Sequence, residues 1–120
     1  MFYTFYQHNP DGSFVRDLQR GISHDVFIEA NSYQEAISIA SRLGIKIAEN
    51  DEDLSERWYG PDKDSFDGIG LDPTLYGKSI IDYGYFPLGL HDMGSVHYIC
   101  GKIEIVKHGE KLNENIPGKN

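Results

Sequence analysis

The sequence has little of what usually announces an activity. It holds one cysteine, Cys100, in 120 residues. That excludes an intrachain disulfide and points to a reducing compartment. No apolar run approaches the ~20 residues of a membrane-spanning helix, because glycine or charge interrupts every candidate. The opening MFYTFYQHNPDGS lacks the basic, apolar and small-residue order of a secretory signal. A cytoplasmic protein with no membrane association is the expectation. Cations are scarce too: 11 Lys and Arg against 19 Asp and Glu give a formal net charge of −8. A phosphate-backbone binder needs clustered Lys and Arg, so direct nucleic-acid binding is disfavoured.

Catalytic and ligand motifs are equally thin. His8, His24, His91, His97 and His108 are scattered, with no H-x-x-x-H or H-E-x-x-H pair. His97 reads as a strand-surface histidine, and His91-Asp92 lies in a glycine-rich loop without a nucleophile at meaningful spacing. DGIGLD lacks both phosphate-loop spacings. DKDSFDG (62–68) imitates the start of a calcium loop, but its fifth position is Phe66 and its twelfth is Pro73. An EF-hand is therefore rejected. Cys100, between Ile99 and Gly101 in an apolar strand, reads as a buried, inert thiol. No cofactor and no metal are expected.

What is present is a core and an unusual loop. Apolar residues make up 39% and aromatics 12%, too much for a disordered chain. FYTFYQH is aromatic and reads as a strand; NPDGS (9–13) is turn chemistry; SFVRDL (13–18) reads as a returning strand, predicting an N-terminal hairpin. HDVFIEA (24–30) is a third strand. Ser32 and Glu35 have capping-box spacing, Ala36, Ile37, Ala40 and Leu43 recur at helical intervals, and Gly44 stands where a C-terminal cap falls. The helix is predicted over 32–43. IKIAE (45–49) alternates like a short strand, and SVHYICGKIEIV (95–106) reads as strand, bent into a hairpin at Gly101.

The expected fold is one α+β domain over 1–108, an antiparallel sheet with one helix on one face, followed by a polar tail over 109–120. A Gly/Pro-rich segment over 50–95 punctuates the chain too often for long elements. One helix covers only one face of such a sheet, so the segment 50–95 or a partner must cover the other. Dimerisation would supply such a partner.

Charge is concentrated in one place. Residues 49–72 hold nine acids against Arg57 and Lys63, a net −7, while the rest of the chain nets −1. The only tryptophan, Trp58, sits inside this run. Trp58 and Arg57 make either a ligand platform or an anchor that packs the loop on the sheet; a lone tryptophan in a small domain usually packs. The expected binding surface comprises Arg57, Trp58 and Tyr59 with Asp51, Glu52, Asp53, Asp62, Asp64 and Asp67. Acids interleaved with aromatics suit a protein with a basic groove. Two alternatives stay open. One is an oligomer sequestering a nucleotide signal with Arg57, Lys63, Lys78 and Lys102. The other is a small enzyme assembling His91, His97 and Asp92 in three dimensions.

FYTFYQHNPDGSFV, VFIEANSYQEAISIASRLGI, the RWY group and HYICGKIEI, in that order, resemble a family of small proteins encoded by tailed phages. The resemblance covers about two thirds of the chain and is weakest across 60–95. Many members carry a cysteine-rich, metal-knuckle-like group before the RW pair. Here NDEDLSERWY has no cysteine, so no zinc role carries over. The resemblance implies a phage accessory protein acting in the host cell. By class analogy it implies a counter-defence factor that inhibits a host protein.

Overall fold

Phe2–Gln7 alternates two apolar faces, and both are used. In a computed structural model the described residues are 1–7, 16–47, 58–62, 64–66, 68–75, 78–79 and 93–107. Strands β1 (Phe2–Gln7) and β2 (Asp25–Glu29) pair antiparallel, Phe2 opposite Glu29 and Tyr6 opposite Asp25. Further strands are β3 (Trp58–Tyr59), β4 (Ile69–Gly70), β5 (Thr74–Leu75), β6 (Lys78–Ser79), β7 (Met93–His97) and β8 (Ile103–Lys107), with one helix, α1 (Tyr33–Arg42). The main sheet runs β3-β1-β2-β7-β8, with β4 also on β1; β5 and β6 form a separate pair. This is the expected small α+β fold, with one helix among the described residues.

Local chemistry sets the helix ends. Ser32 Oγ accepts from the Glu35 N–H at 3.1 Å, closing the N-terminus. At the C-terminus the Ile45 N–H reaches Ala40 O at 2.9 Å and the Gly44 N–H reaches Ser41 O at 3.0 Å. With Gly44 at φ +90° this is a Schellman cap. The Arg20 guanidinium donates to Leu43 O, satisfying another end carbonyl.

Tyr3, Phe5, Val26, Ile28, Ala30, Ala36, Ala40, Ile45 and Trp58 form one cluster between α1 and the β1–β2 half of the sheet. Strand alternation puts Phe2, Phe27 and Val96 on the opposite face, and these are buried as well. Buried Pro73 leads into β5, which lies alongside β1. The single chain thus covers both faces.

Three sequence expectations change. The strand over 13–18 lies outside the described residues up to 15; beyond it, Asp17 only bridges Ile22 across a tight turn. The real partner of β1 is β2. The strand over 45–49 reduces, among its described residues, to a parallel bridge from Ile47 to Trp58. Finally, β2 and β7 pair parallel, Val26 opposite Ser95 and Ile28 opposite His97, within an otherwise antiparallel sheet. A long crossover containing α1 joins them, and crossovers permit parallel pairing where tight turns do not.

Among the described residues, no helix is long and apolar enough to cross a membrane.

Candidate functional site

The outer neighbour of β1 is one edge strand broken in two. Trp58 and Tyr59 pair with Gln7 and Tyr6; Ile69 and Gly70 pair with Tyr3 and Phe2. Both segments run antiparallel to β1, and between them only Thr4 and Phe5 of β1 are left without a partner in either segment. The excursion is held at its base. The Thr4 N–H donates to Gly68 O at 2.8 Å, and Pro61 is buried. Gly60 lies so close to the sheet that a Cβ there would stand 3.1 Å from Ile47 Cγ2 and 3.4 Å from Phe5 Cε2.

The tip is shaped by side chain-to-backbone bonds. Asp62 Oδ1 accepts from the N–H of Asp64 at 2.9 Å and of Ser65 at 3.4 Å, an Asx turn. The backbone N–H of Asp64, then the Ser65 side chain, favour the ionised form and hold the Asp62 carboxyl below the usual carboxylate range. The Ile69 N–H returns to Phe66 O at 3.2 Å. Phe66 itself stands at φ +62°, the only non-glycine residue at positive φ among the described residues. Its side chain is 69% exposed, and Leu71 beyond it is 78% exposed. At the base, Tyr6 and Tyr59 meet at a centroid distance of 5.5 Å, with Tyr6 exposed and Tyr59 half-buried. A bulky side chain held in a left-handed conformation and turned to water is unfavourable twice over, in backbone sterics and in hydration.

The expected binding residues separate accordingly. Trp58 is 5% exposed and belongs to the core cluster, so it is the anchor of the loop and not a ligand platform. Tyr59 is half-buried beside Tyr6; Asp62 and Asp64 are exposed around Phe66. Asp51, Glu52, Asp53, Arg57 and Asp67 lie outside the described residues. Phe66, Leu71 and Tyr6 were not legible as surface residues from composition. The signal available for Phe66 was its setting: a phenylalanine inside DKDSFDG sits in turn chemistry that carries no buried face.

The other candidates resolve into structure. Ser23 Oγ and Ser95 Oγ are 2.7 Å apart, Ser23 Oγ donates to Asp25 O at 3.1 Å, and Gln7 Nε2 donates to Ser23 O at 3.0 Å. His24 Nδ1 stands 3.6 Å from Asp25 Oδ1. Both serines and Asp25 are wholly buried. The bonds of Ser23 to Gln7 and Ser95 fasten β1, β2 and β7 together. His97 is buried, contrary to its expected place on the strand surface. Its Nε2 lies 2.8 Å from Gly21 O, and burial pushes its pKa down against that hydrogen bond. Cys100 is exposed in the β7–β8 turn rather than buried, because the strand ends at His97 and the apolar alternation stops with it. His91 and Asp92 lie outside the described residues. Among the described residues, no three His, Cys, Asp or Glu side chains gather as a metal site.

No curated protein and no solved structure matches the chain. Residues 1–115 match the family model described as a domain of unknown function, DUF7296, and the chain belongs to that family.

Proposed function

We propose that this is a non-enzymatic accessory protein that acts by docking residues 59–72 on a partner protein with a basic surface. The observation that carries the reading is Phe66, exposed at positive φ on a loop pinned at both ends and flanked by Asp62 and Asp64. Backbone strain of this kind persists only where surrounding structure enforces it, and it gathers at recognition sites. Phe66 and Leu71 supply apolar anchors, and the acidic ring supplies steering toward a cationic groove. The phage resemblance of the sequence makes a host protein the expected target and inhibition of a defence component the expected outcome.

The test is an affinity capture from host lysate with the native chain, the Phe66→Ser/Leu71→Ser pair, and the Asp62→Asn/Asp64→Asn pair. The expected result is one partner, retained by the native chain, lost with the apolar pair and weakened with the acidic pair in a salt-dependent way. A partner held equally by all three proteins would sink the reading.

A further inference from the structure

The sheet ends on β8, which has β7 on one side and, among the described residues, no strand on the other. Its pairing fixes which backbone groups point outward. The Tyr98 N–H donates to Lys102 O at 2.8 Å, which makes these two a bonded pair at the head of the ladder. Bonded and non-bonded pairs alternate along an antiparallel ladder, so Glu104 and Val106 also turn their N–H and C=O toward β7. Ile103 and Ile105 turn theirs away from it. No proline and no interruption blunts this edge over Ile103–Lys107.

Strand alternation divides the side chains. Ile103 and Ile105 lie on the face that carries α1, and Lys102 and Glu104 lie on the face of Tyr98. The helix packs on the β1–β2 half of the sheet, and Ile103 is left 41% exposed, with Ile99 in the adjoining turn 51% exposed. On the other face Glu104 accepts from the Tyr98 hydroxyl at 3.0 Å, which places its carboxylate, and Lys102 is exposed. Opposite charges therefore flank Ile103 on one face.

We infer that two copies of this chain join edge to edge through β8, antiparallel and centred on Ile103. A two-fold axis perpendicular to the sheet keeps like faces together, so only residues of the same face can stand opposite each other. Centring on Glu104 would set two carboxylates against each other, and centring on Ile105 would set Glu104 against Val106. Centring on Ile103 sets each Lys102 opposite Glu104 of the second copy and brings the two exposed Ile103 side chains together. The outward N–H and C=O of Ile103 then bond with those of Ile103 in the second copy. A foreign strand would need a Lys-x-Glu of its own; a second copy carries it by construction. The net charge of −8 does not oppose the approach. Asp62 and Asp64 follow β3, four strand spacings from β8, about 19 Å, and the screening length is about 8 Å. The hairpin Met93–Lys107 itself holds Lys102 and Lys107 against Glu104, a formal +1.

The experiment is sedimentation equilibrium of the full chain up to about 1 mM, with the melting temperature of every variant recorded. A short edge pairing belongs to the weak class of interface, so reversible dimers above about 10 µM are expected. Lys102→Glu replaces two opposite-charge pairs by two like-charge pairs and should weaken the dimer at least about tenfold. Adding Glu104→Lys to it should restore the dimer, and mixing the two single variants should give heterodimers. Ile103→Lys, at an exposed edge position, should abolish the dimer with an unchanged melting temperature. The Phe66→Ser/Leu71→Ser pair should dimerise like the native chain, which separates this edge from the docking loop. A chain still monomeric at about 1 mM, a dimer indifferent to Lys102→Glu or Ile103→Lys, or a double variant that melts like the native chain and stays monomeric would overturn the proposal.

Discussion

At one edge of the sheet the chain pairs with β1 at Trp58–Tyr59 and again at Ile69–Gly70; at the other, β7 and β8 pair without interruption from Met93–Lys107 to His97–Ile103. The continuous ladder commits the facing backbone groups of both strands and dictates which side chains face the core. The interrupted one commits only its ends. Two short pairings suffice to hold a loop in place while its side chains stay free to face water. The first edge therefore displays a loop, and the second leaves a concavity beside an uninterrupted hairpin.

The comparison breaks most sharply if the anchor of the loop is removed. Trp58→Ala deletes a buried aromatic that pairs with Gln7 and bridges Ile47. A loss of about 3–5 kcal/mol is expected in denaturant titrations. A loss below about 1 kcal/mol would mean that the broken edge is decoration and not structure. At the opposite edge, Gly21→Ala places a Cβ 2.6 Å from the His97 ring and 2.9 Å from Ile103 Cγ2, at φ +70°. It should cost about 1–3 kcal/mol, with the resonances of β7 and β8 shifting before those of β3 and β4.

Acid should weaken the hairpin edge first. The His97 pKa is depressed on folding by burial, so its contribution is complete above the ordinary value of 6.5 and is lost as pH falls from there through the folded value. Thermal melts at pH 7.5 and pH 5 should show this fall, and His97→Gln should flatten that part of the profile. Asp62 acts with the same sign in the carboxylate range, and being wholly exposed it should move stability little.

The smallest effect is the most informative about the loop. Phe66→Ala should leave stability within about 0.5 kcal/mol, whereas Phe66→Gly, which accepts positive φ, should match or exceed the native chain. Phe66→Gly should nonetheless abolish partner capture. A destabilised Phe66→Gly would show that the exposed ring supports the fold.

The features legible in the sequence were local ones. Ser32, Glu35 and Gly44 announced both ends of the helix because capping involves neighbours within a turn. Gly101 announced the hairpin for the same reason, and stands at φ +96°. The pairing partners were not legible. NPDGS is turn chemistry for a hairpin, yet β1 pairs with β2, and β7 lies parallel to β2 only because of a crossover of more than sixty residues. Such pairings depend on global packing rather than on turn residues. Exposure was legible in part. The acids at 62 and 64 were assigned to the surface correctly; Trp58, read as either platform or anchor, is core, and Phe66, given no place by the sequence, is surface. Aromatic content alone does not separate a hydrophobic anchor from a displayed one.

The broken edge strand also bears on how this edge meets other chains. A long, flat outer strand offers a row of free N–H and C=O groups on which another chain can polymerise. At this edge the outer strand consists of two dipeptides, Trp58–Tyr59 and Ile69–Gly70, separated by an acidic stretch, whereas the opposite edge, β8, runs five residues unbroken. Neither dipeptide is long enough to template a cross-β stack, and the charge between them repels an identical copy. The same nine-residue interval can lengthen or shorten without moving any register in the sheet, so diversification of this surface need not endanger the fold.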